Sequence, residues 1–397
     1  MLATYIIAST MNIAFFVDTY FPQLNGVATV VHQLKDNLET LGHSVYVLTP
    51  RRHNSPEANG VYYLKARPSK IATNEYIATE NYKNVVNFCI EHNIDILHAH
   101  SEFSVALIAI KVAKEIKKPF LITFHTFWEH YISAYIPCSF LIPKKIVHTW
   151  IKHVYKNADV IYAVSQKVFD YLSSPKILPQ KKILLIENAV DNFGLHIRDY
   201  SKTEIQNLKN DLSLKDEKVF LYVGRVSHEK RIKQLLHIFK SVLQKTHQAL
   251  RLIIVGDGPA KDYLVKYANK LGINKEVSFV GFVQRENLGL FFSISDLFVS
   301  ASISETYSMT VTEALCFYVP CILRDDECYY DRIKHAENGL MLKNDAEFAE
   351  ALTTLVVNNE ELLALKEKTK QSFTQLSSMD QTKKYLESYT DVLQEYL

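Results

Sequence analysis

A chain of 397 residues is too long for one ordinary domain, and its length suggests two or three. Its net charge of +2 argues against a general nucleic-acid-binding protein, because such proteins carry a strong excess of basic residues. The charge is uneven, since residues 1–190 hold 19 Lys and Arg against 14 Asp and Glu. This mildly basic first half suits an anionic surface or substrate.

The cysteines and the first residues bear on the cellular compartment. The 5 cysteines are odd in number and form no Cys-x-x-Cys pair, which fits a reducing compartment. The N-terminal stretch lacks the basic and apolar regions of a signal peptide, and either Met1 or Met11 could be the natural start. No apolar run approaches the roughly 20 residues that span a bilayer. We therefore expect a cytoplasmic protein, whose membrane contact would be peripheral, on the inner face of the plasma membrane.

The first half alternates short apolar runs with amphipathic stretches. Strands are predicted at Asn12–Val17, Ser44–Leu48, Asp95–His98, Phe120–Phe124 and Val160–Val164. Helices are predicted at Val27–Leu41, which precedes the capping residue Gly42, and at Val105–Lys117. Parallel strands buried on both faces have continuous apolar sequences, as these have.

The same alternation restarts after Lys218. The predicted strands are Val219–Val223, Leu250–Val255, Val277–Phe279, Leu297–Ser300 and Cys321–Leu323. The predicted helices are Arg231–Gln244, Ala260–Leu271, Val311–Phe317 and, at the end of the chain, Thr382–Tyr396.

Two runs of strand–helix alternation predict an α/β fold with two doubly wound parallel sheets. Residues 1–190 and 191–375 are the expected Rossmann-like domains, and the helix in residues 376–397 is expected to pack back on the first domain. Such sheets bind ligands beyond the carboxyl ends of their strands. We therefore expect the two domains to face each other across a cleft that holds the site.

Two polar segments follow strands of the first domain. Asn25 and Gly26 open a helix, where backbone amides can approach an anion, although an ordinary turn explains them as well. His125 begins the cluster HTFWEHY after a buried strand and could bind a sugar hydroxyl or simply be satisfied by backbone. A metal site built from His98, His100, His125 and His130 is the weaker interpretation, because no acidic or thiol partner has ligand-like spacing.

In the second domain, Arg225 and Lys230 lie 5 residues apart after a strand, a pattern suited to a diphosphate or to a solvated basic loop. Gly256 and Gly258 follow the next strand, and Phe282 and Val283 the one after it. These residues could leave room for the flat base of a nucleotide and recognise its edge. Turn formation explains the glycines equally well.

The sharpest pattern spans a loop-to-helix junction. Glu305 and Glu313 stand 8 residues apart, with Thr306, Ser308, Met309 and Thr310 between them. One carboxylate could receive sugar hydroxyls and the other a ribose diol, with the intervening amides facing phosphate. The pattern Glu-x7-Glu is common by chance, so its meaning depends on its place after a strand.

Together these loops resemble family 4 retaining glycosyltransferases of the GT-B fold. The resemblance implies that residues 1–190 bind the acceptor and residues 191–375 bind the nucleotide-sugar donor. It implies that Arg225 and Lys230 bind the donor diphosphate, that Glu305 lies near the donor sugar and that Glu313 lies at the ribose. It also implies that Gly26 lies beside the diphosphate and His125 near the sugar's primary hydroxyl. Ser308 and Ala189 (in Asn188-Ala189-Val190-Asp191) replace glycines common in the family, and Arg324–Cys328 departs from its glycine-bearing loop.

The stretches DTYFPQLNGVATVV and TFHTFWEHY further resemble bacterial 1,2-diacylglycerol 3-alpha-glucosyltransferases. This implies UDP-glucose as donor, a lipid acceptor such as diacylglycerol and an α-glycosidic product. It also implies no tightly bound cofactor and no need for Mg²⁺ to stabilise the leaving group. Another acceptor (a saccharide, lipopolysaccharide or phosphatidylinositol-type lipid, with GDP-mannose as alternative donor) stays open, as does a UDP-sugar epimerase of similar architecture.

Residues 142–156 predict a basic amphipathic helix. Lys145, Lys152 and Lys156 share one face, and Trp150 lies with apolar residues on the other. Such a helix can lie in the headgroup plane of an anionic membrane. The alternative is that its apolar face packs against the first domain.

Overall fold

A computed structural model describes residues 10–21, 25–53, 55–70, 75–128, 144–190, 200–372 and 377–396. The chain forms two units, the first from Met1–Ala189 with Ser377–Leu397 and the second from Val190–Leu376. These boundaries lie next to the predicted ones at residues 190 and 375. In the described ranges, no helix combines the length and the apolar character needed to cross a membrane.

The first unit is built on a parallel sheet. Its strands are β1 (Asn12–Phe16), β2 (Ser44–Pro50), β3 (Val61–Leu64), β4 (Ala66–Pro68), β5 (Tyr76–Ala78), β6 (Ile96–Ala99), β7 (Phe120–Phe124), β8 (Val160–Ala163) and β9 (Ile183–Leu185). Seven of them pair in the order β3-β2-β1-β6-β7-β8-β9, all parallel, while β4 and β5 form a separate antiparallel pair. The central strands β1, β6 and β7 are almost wholly buried, which explains their continuous apolar sequences.

Helices connect these strands. They are α1 (Gly26–Thr40), α2 (Tyr82–Glu91), α3 (Ser104–Ile116), α4 (Lys144–Tyr155) and α5 (Gln166–Ser173). Helix α1 begins where the side chain of Asn25 accepts a hydrogen bond from the amide of Ala28 at 2.8 Å. Its buried face carries Val30, Val31, Leu34 and Leu38, which are the positions that gave the helical pattern in the sequence.

The second unit repeats this architecture. Its strands are β10 (Lys218–Val223), β11 (Leu250–Val255), β12 (Val277–Gly281), β13 (Leu297–Ser300), β14 (Cys321–Arg324) and β15 (Gly339–Leu342). They form one parallel sheet in the order β12-β11-β10-β13-β14-β15. Its helices are α6 (Lys202–Asp211), α7 (Ile232–Thr246), α8 (Lys261–Leu271), α9 (Arg285–Ser293), α10 (Met309–Cys316), α11 (Asp345–Val357) and α12 (Asn359–Ser372). Apolar cores cover both faces of the sheet.

The last helix, α13 (Ser378–Tyr396), belongs to the first unit. Tyr389 is buried, and its hydroxyl lies 2.7 Å from Nδ1 of His98 on β6. At the start of the helix, Asn37 of α1 donates to the hydroxyl of Ser378 at 2.9 Å. The return of the chain to its first sheet is therefore fixed by polar contacts as well as by apolar packing.

Two doubly wound parallel sheets confirm the predicted fold class. Strands β7, β11 and β13 have the predicted ends. Other ends differ by a few residues; for example, α10 begins at Met309 and α13 at Ser378, earlier than predicted. The sequence did not yield the short strands β3, β4, β5, β9 and β15. They are partly exposed, so they lack the continuous apolar run that identified a fully buried strand of similar length such as β13.

Candidate active site

The predicted donor residues of the second unit lie at one edge of its sheet. Strands β12, β11, β10 and β13 are neighbours in that order and run parallel, so their carboxyl ends share one edge. The loops leaving these strands carry the predicted residues. In strand order they are Phe282 and Val283, then Gly256 and Gly258, then Arg225 and Lys230, then Glu305. Four segments that are distant in sequence therefore meet at the edge where such sheets bind ligands.

Lys230 and Glu305 form an ion pair at this edge. Lys230 ends a 3₁₀ turn (His228–Lys230), and Glu305 lies in the loop between β13 and α10. The Nζ atom of Lys230 donates to Oε1 of Glu305 at 2.6 Å, and the two side chains are only 11% and 12% exposed. Arg225 is half-buried in the same loop as Lys230. The structure thus places one predicted cation directly against one predicted acid.

Gly256 and Gly258 let two of these loops pack together. A Cβ added to Gly256, whose φ is +131°, would lie 1.9 Å from the carbonyl oxygen of Gly224. A Cβ on Gly258 would lie 2.5 Å from the carbonyl oxygen of Val226. The amide of Val226 also donates to the carbonyl of Asp257 at 3.0 Å. In this structure the glycines therefore support the loop that carries Arg225, a role that does not require contact with a base.

This packing predicts the effect of Gly256→Ala. The added methyl group must displace backbone, which costs about 1–3 kcal/mol or more, and the displacement would move the Arg225 loop. We expect a loss of at least about 2 kcal/mol in the free energy of unfolding, measured by urea denaturation. The matched control is Gly272→Ala, since Gly272 has φ +73° but nothing within 4 Å of an added Cβ. An equal or larger loss of stability in Gly272→Ala would contradict this role.

Glu313 is buried and paired with a residue that the sequence analysis missed. It lies in the second turn of α10 and is 1% exposed. The Nη1 atom of Arg285, the first residue of α9, lies 2.5 Å from its Oε1. Because 28 residues separate the two, no local pattern could have revealed the pair. Glu313 is therefore paired with a cation of the protein itself, in addition to the ribose contact that was predicted for it.

The segment between Glu305 and α10 is held by Arg332, which was also missed. The guanidinium group of Arg332 lies over the ring of Tyr307 at 3.5 Å and donates to the carbonyl of Tyr307. It also donates to the hydroxyl of Thr312 at 3.1 Å. Ser308 has φ +61°, a left-handed conformation that favours glycine, which is the residue that the family resemblance leads us to expect at this position. Thr306, Met309 and Thr310 are half-buried beside it.

The first unit holds the remaining predicted residues. Asn25 caps α1, and Gly26, its first residue, is exposed. His125 is 9% exposed, and its Nε2 lies 3.2 Å from Nδ1 of His100. Burial lowers the pKa of His125 to about 3, so its imidazole is neutral at physiological pH. Part of the predicted cluster (Glu129, His130 and Tyr131) and Asp191 lie outside the described residues.

His98, His100 and His125 do come together, with ring centroids 4.0 Å and 5.5 Å apart along the row. His98 is bonded to Tyr389 and to the hydroxyl of Thr123, the latter at 2.8 Å. Among the described residues, no group of three or more His, Cys, Asp or Glu side chains is arranged to hold a metal ion. His130 lies outside those residues.

The face of α4 that was predicted to contact a membrane is mostly turned inward. Val147, Ile151 and Val154 are buried, and the indole N–H of Trp150 donates to the carbonyl of Glu102 at 3.1 Å. The alternative of packing against the first unit is therefore the better description of these residues, including Trp150. Lys145, Lys152 and Lys156 are exposed, and Ile146 is 59% exposed.

Comparisons with known proteins agree with this architecture. A model described as Glycosyltransferase Family 4 matches residues 24–192, and one described as Glycosyl transferases group 1 matches residues 204–372. Alpha-monoglucosyldiacylglycerol synthase of Streptococcus pneumoniae is 29% identical over 87% of this chain and 78% of its own length. The synthase of the same name from Acholeplasma laidlawii is 28% identical over 88% and 89%.

Solved structures share the fold. Sucrose-phosphate synthase from Thermosynechococcus elongatus superposes with a TM-score of 0.77 at 17% identity, covering 97% of this chain and all of that one. HepE of Anabaena, crystallised in complex with UDP-glucose, gives 0.72 at 16% identity, covering 95% of this chain and all of its own. The chain therefore belongs to the GT-B glycosyltransferases of family 4 and resembles the diacylglycerol glucosyltransferases.

Proposed function

We propose that this protein is a retaining hexosyltransferase that moves glucose from UDP-glucose to a lipid hydroxyl, with diacylglycerol as the favoured acceptor, and forms an α-glycosidic bond. The part of the proposal that concerns the donor depends on one observation: Lys230, Arg225 and Glu305 lie at the same edge of the second sheet. The acceptor half is supported by the two alpha-monoglucosyldiacylglycerol synthases that the chain resembles over most of its length.

The chemistry follows from the charges at this edge. When the bond between the anomeric carbon and the diphosphate oxygen breaks, negative charge accumulates on the departing UDP. Lys230 and Arg225 are positioned to stabilise that charge, and preorganised charges of this kind act most strongly where water is scarce. The acceptor oxygen bonds to the same face of the anomeric carbon, and its proton passes to the leaving phosphate. In this scheme Glu305 orients Lys230 and binds hydroxyls of the glucose.

We further propose that the protein meets its lipid at a membrane surface through α4. Lys145, Lys152 and Lys156 are exposed along this helix, and residues 144–156 include no acidic residue. Exposed lysines attract the anionic headgroups of a membrane, each contributing on the order of 1 kcal/mol near the surface. Ile146 is the apolar residue of this helix that is available to enter the headgroup layer.

Transfer of label from donor to lipid tests the proposal. The purified protein is incubated with UDP-glucose, UDP-galactose or GDP-mannose, each labelled in the sugar, and with a total lipid extract. We expect label in a chloroform-soluble product with UDP-glucose, and an α-linked glucosyl diacylglycerol on analysis. Label in a water-soluble saccharide would contradict the lipid acceptor. Conversion of the donor sugar without any acceptor would indicate an epimerase instead.

A further inference from the structure

The turn that carries Lys230 ends at a residue in an unfavourable backbone conformation. Arg231 follows this turn and precedes α7, and its φ and ψ are +55° and +31°. Glycine adopts this left-handed conformation readily, whereas a residue with a Cβ is strained in it. The amide of Arg231 donates to the carbonyl of His228, and its carbonyl accepts from the amide of Leu235, both at 3.1 Å. The backbone of Arg231 therefore joins the turn to the helix and fixes the orientation of Lys230.

The side chain of Arg231 is bound to a distant part of the second unit. Its Nη2 atom donates to both carboxylate oxygens of Asp345, at 3.1 Å and 3.2 Å. Asp345 is the first residue of α11 and lies 114 residues further along the chain. The side chains of Arg231 and Asp345 are 23% and 43% exposed. Two hydrogen bonds and partial shielding from water make this ion pair better defined than an ordinary surface pair.

Arg324 contacts the same carboxylate from a neighbouring strand. It is the last residue of β14, and its Nε atom lies 3.5 Å from Oδ1 of Asp345. Its Nη1 atom donates at 2.7 Å to the carbonyl of Leu342, which ends β15. Two guanidinium groups therefore share one carboxylate. Arg324 also begins the segment that departs from the glycine-bearing loop of the family, and this contact gives the departure a structural role.

These contacts lie at the edge of the sheet where the donor is proposed to bind. They come from the carboxyl ends of β10, β14 and β15, or from the segments that follow them, and all strands of this sheet are parallel. The carbonyl of Glu229, next to Lys230 in the turn, also accepts from the hydroxyl of Ser304 at 3.4 Å. The turn is therefore held on one side by Asp345 and on the other by the loop that carries Glu305.

We propose that the ion pair between Arg231 and Asp345, supported by Arg324, holds Arg231 in its left-handed conformation and so positions Lys230 for the donor diphosphate. In this role Arg231 and Asp345 are positioning residues, because they act through Lys230. The effect on the donor rests on the proposed function. The effect on the backbone does not, and the two are tested separately.

The effect on the backbone is tested by urea denaturation without any ligand. Asp345→Ala should lower the free energy of unfolding, because it removes the ion pair that holds the strained backbone. Adding Arg231→Gly should restore most of this loss, since glycine adopts φ +55° without strain. Adding Arg231→Ala should restore much less, because it removes the unpaired charge but keeps the Cβ. Equal recovery by glycine and alanine would overturn the proposal.

A neighbouring acid provides the control for Asp345. Glu347 also lies in the first turn of α11, where its carboxylate accepts from the amide of Lys343 at 2.9 Å. If Asp345 acted only by stabilising the helix N-terminus, as an acid in a first turn can, Arg231→Gly would have the same effect beside Asp345→Ala as beside Glu347→Ala. We expect a stabilising effect beside Asp345→Ala alone.

The effect on Lys230 is tested by calorimetry of UDP binding and by kcat for glucose transfer. Asp345→Ala should lower both by about tenfold, or 1.4 kcal/mol, and Arg231→Gly should restore most of each loss. In a Lys230→Ala background, Asp345→Ala should change either value by less than about twofold, because residues that act through one group are not additive. The control is His247→Ala, since His247 has φ +51° at the other end of α7 and should leave both values unchanged.

The outcomes separate this proposal from the proposed function. Equal losses of UDP affinity from Asp345→Ala with and without Lys230 would overturn the positioning role, even if the wild type transfers glucose to lipid. A wild type that binds UDP but transfers no sugar would overturn the proposed function, and the comparison of UDP affinities would still decide whether Asp345 acts through Lys230.

Discussion

Replacing Lys230 with alanine should lower kcat for glucose transfer by about 10²–10³-fold, the range found when one preorganised charge-stabilising donor is removed from an active site. Lys230 lies at the edge where the donor is proposed to bind, and its ammonium group is only slightly exposed. The Arg225→Ala, Lys230→Ala double variant should be slower still. The measurement is transfer of labelled glucose at saturating UDP-glucose, with UDP affinity followed by calorimetry.

A second ion pair provides a control that distinguishes a loss of charge stabilisation in the active site from general structural damage. Lys366 donates to Asp296 at 2.6 Å, the same distance as in the Lys230–Glu305 pair, but Asp296 precedes β13 and so lies at the opposite edge of the sheet. Lys366→Ala therefore breaks a comparable contact away from the proposed site and should leave kcat nearly unchanged. If the double variant loses less than about tenfold, or 1.4 kcal/mol, the leaving-group role is wrong.

Much of the fold could be predicted because buried parallel strands are easy to recognise in the sequence. Strands such as β7 and β11 are buried on both faces, so each is a short, continuous apolar run that needs no distant information to be recognised. The positions of Arg225 and Glu305 followed from the same rule, since each comes soon after such a strand. In this fold the loops that leave the carboxyl ends of the strands lie at the ligand-binding edge of the sheet. A residue that follows a strand in the sequence is therefore predicted to lie at that edge.

The partners of these residues could not be predicted in the same way. Arg285 meets Glu313 only because α9 and α10 follow different strands of one sheet, and Arg332 reaches Tyr307 across 25 residues. A cavity of the first unit, lined among others by Asp18, His100 and Trp150, is likewise assembled from loops and helices that are far apart in sequence. Helix α4 does have the amphipathic pattern that the sequence indicates. Such a pattern cannot distinguish an apolar face that packs against the protein from one that enters a membrane. In the structure, Val147 and Ile151 are buried in the protein.

Arg285→Ala should destabilise the second unit by about 3–5 kcal/mol, because it leaves the carboxylate of Glu313 buried without its paired cation. Glu313 is 1% exposed, so water cannot replace the lost guanidinium group without local rearrangement. Urea denaturation of the full chain measures the change in the free energy of unfolding. The control is Lys334→Ala, whose partner Glu337 lies 4.0 Å away in a pair that is 64% and 53% exposed, and which should cost well under about 1 kcal/mol.

Removing both charges tests separately whether the pair is needed for stability and whether Glu313 is needed to bind the nucleotide. The Arg285→Met, Glu313→Leu double variant fills the site with apolar groups, and such replacements of buried ion pairs are often neutral or stabilising. We expect it to regain most of the stability that Arg285→Ala loses, yet to bind UDP at least about tenfold more weakly than the wild type if Glu313 holds the ribose hydroxyls. Recovery of both stability and UDP affinity would show that Glu313 is a structural residue and would remove it from the donor site. A loss of less than about 1 kcal/mol in Arg285→Ala itself would show instead that the buried pair is not a determinant of stability.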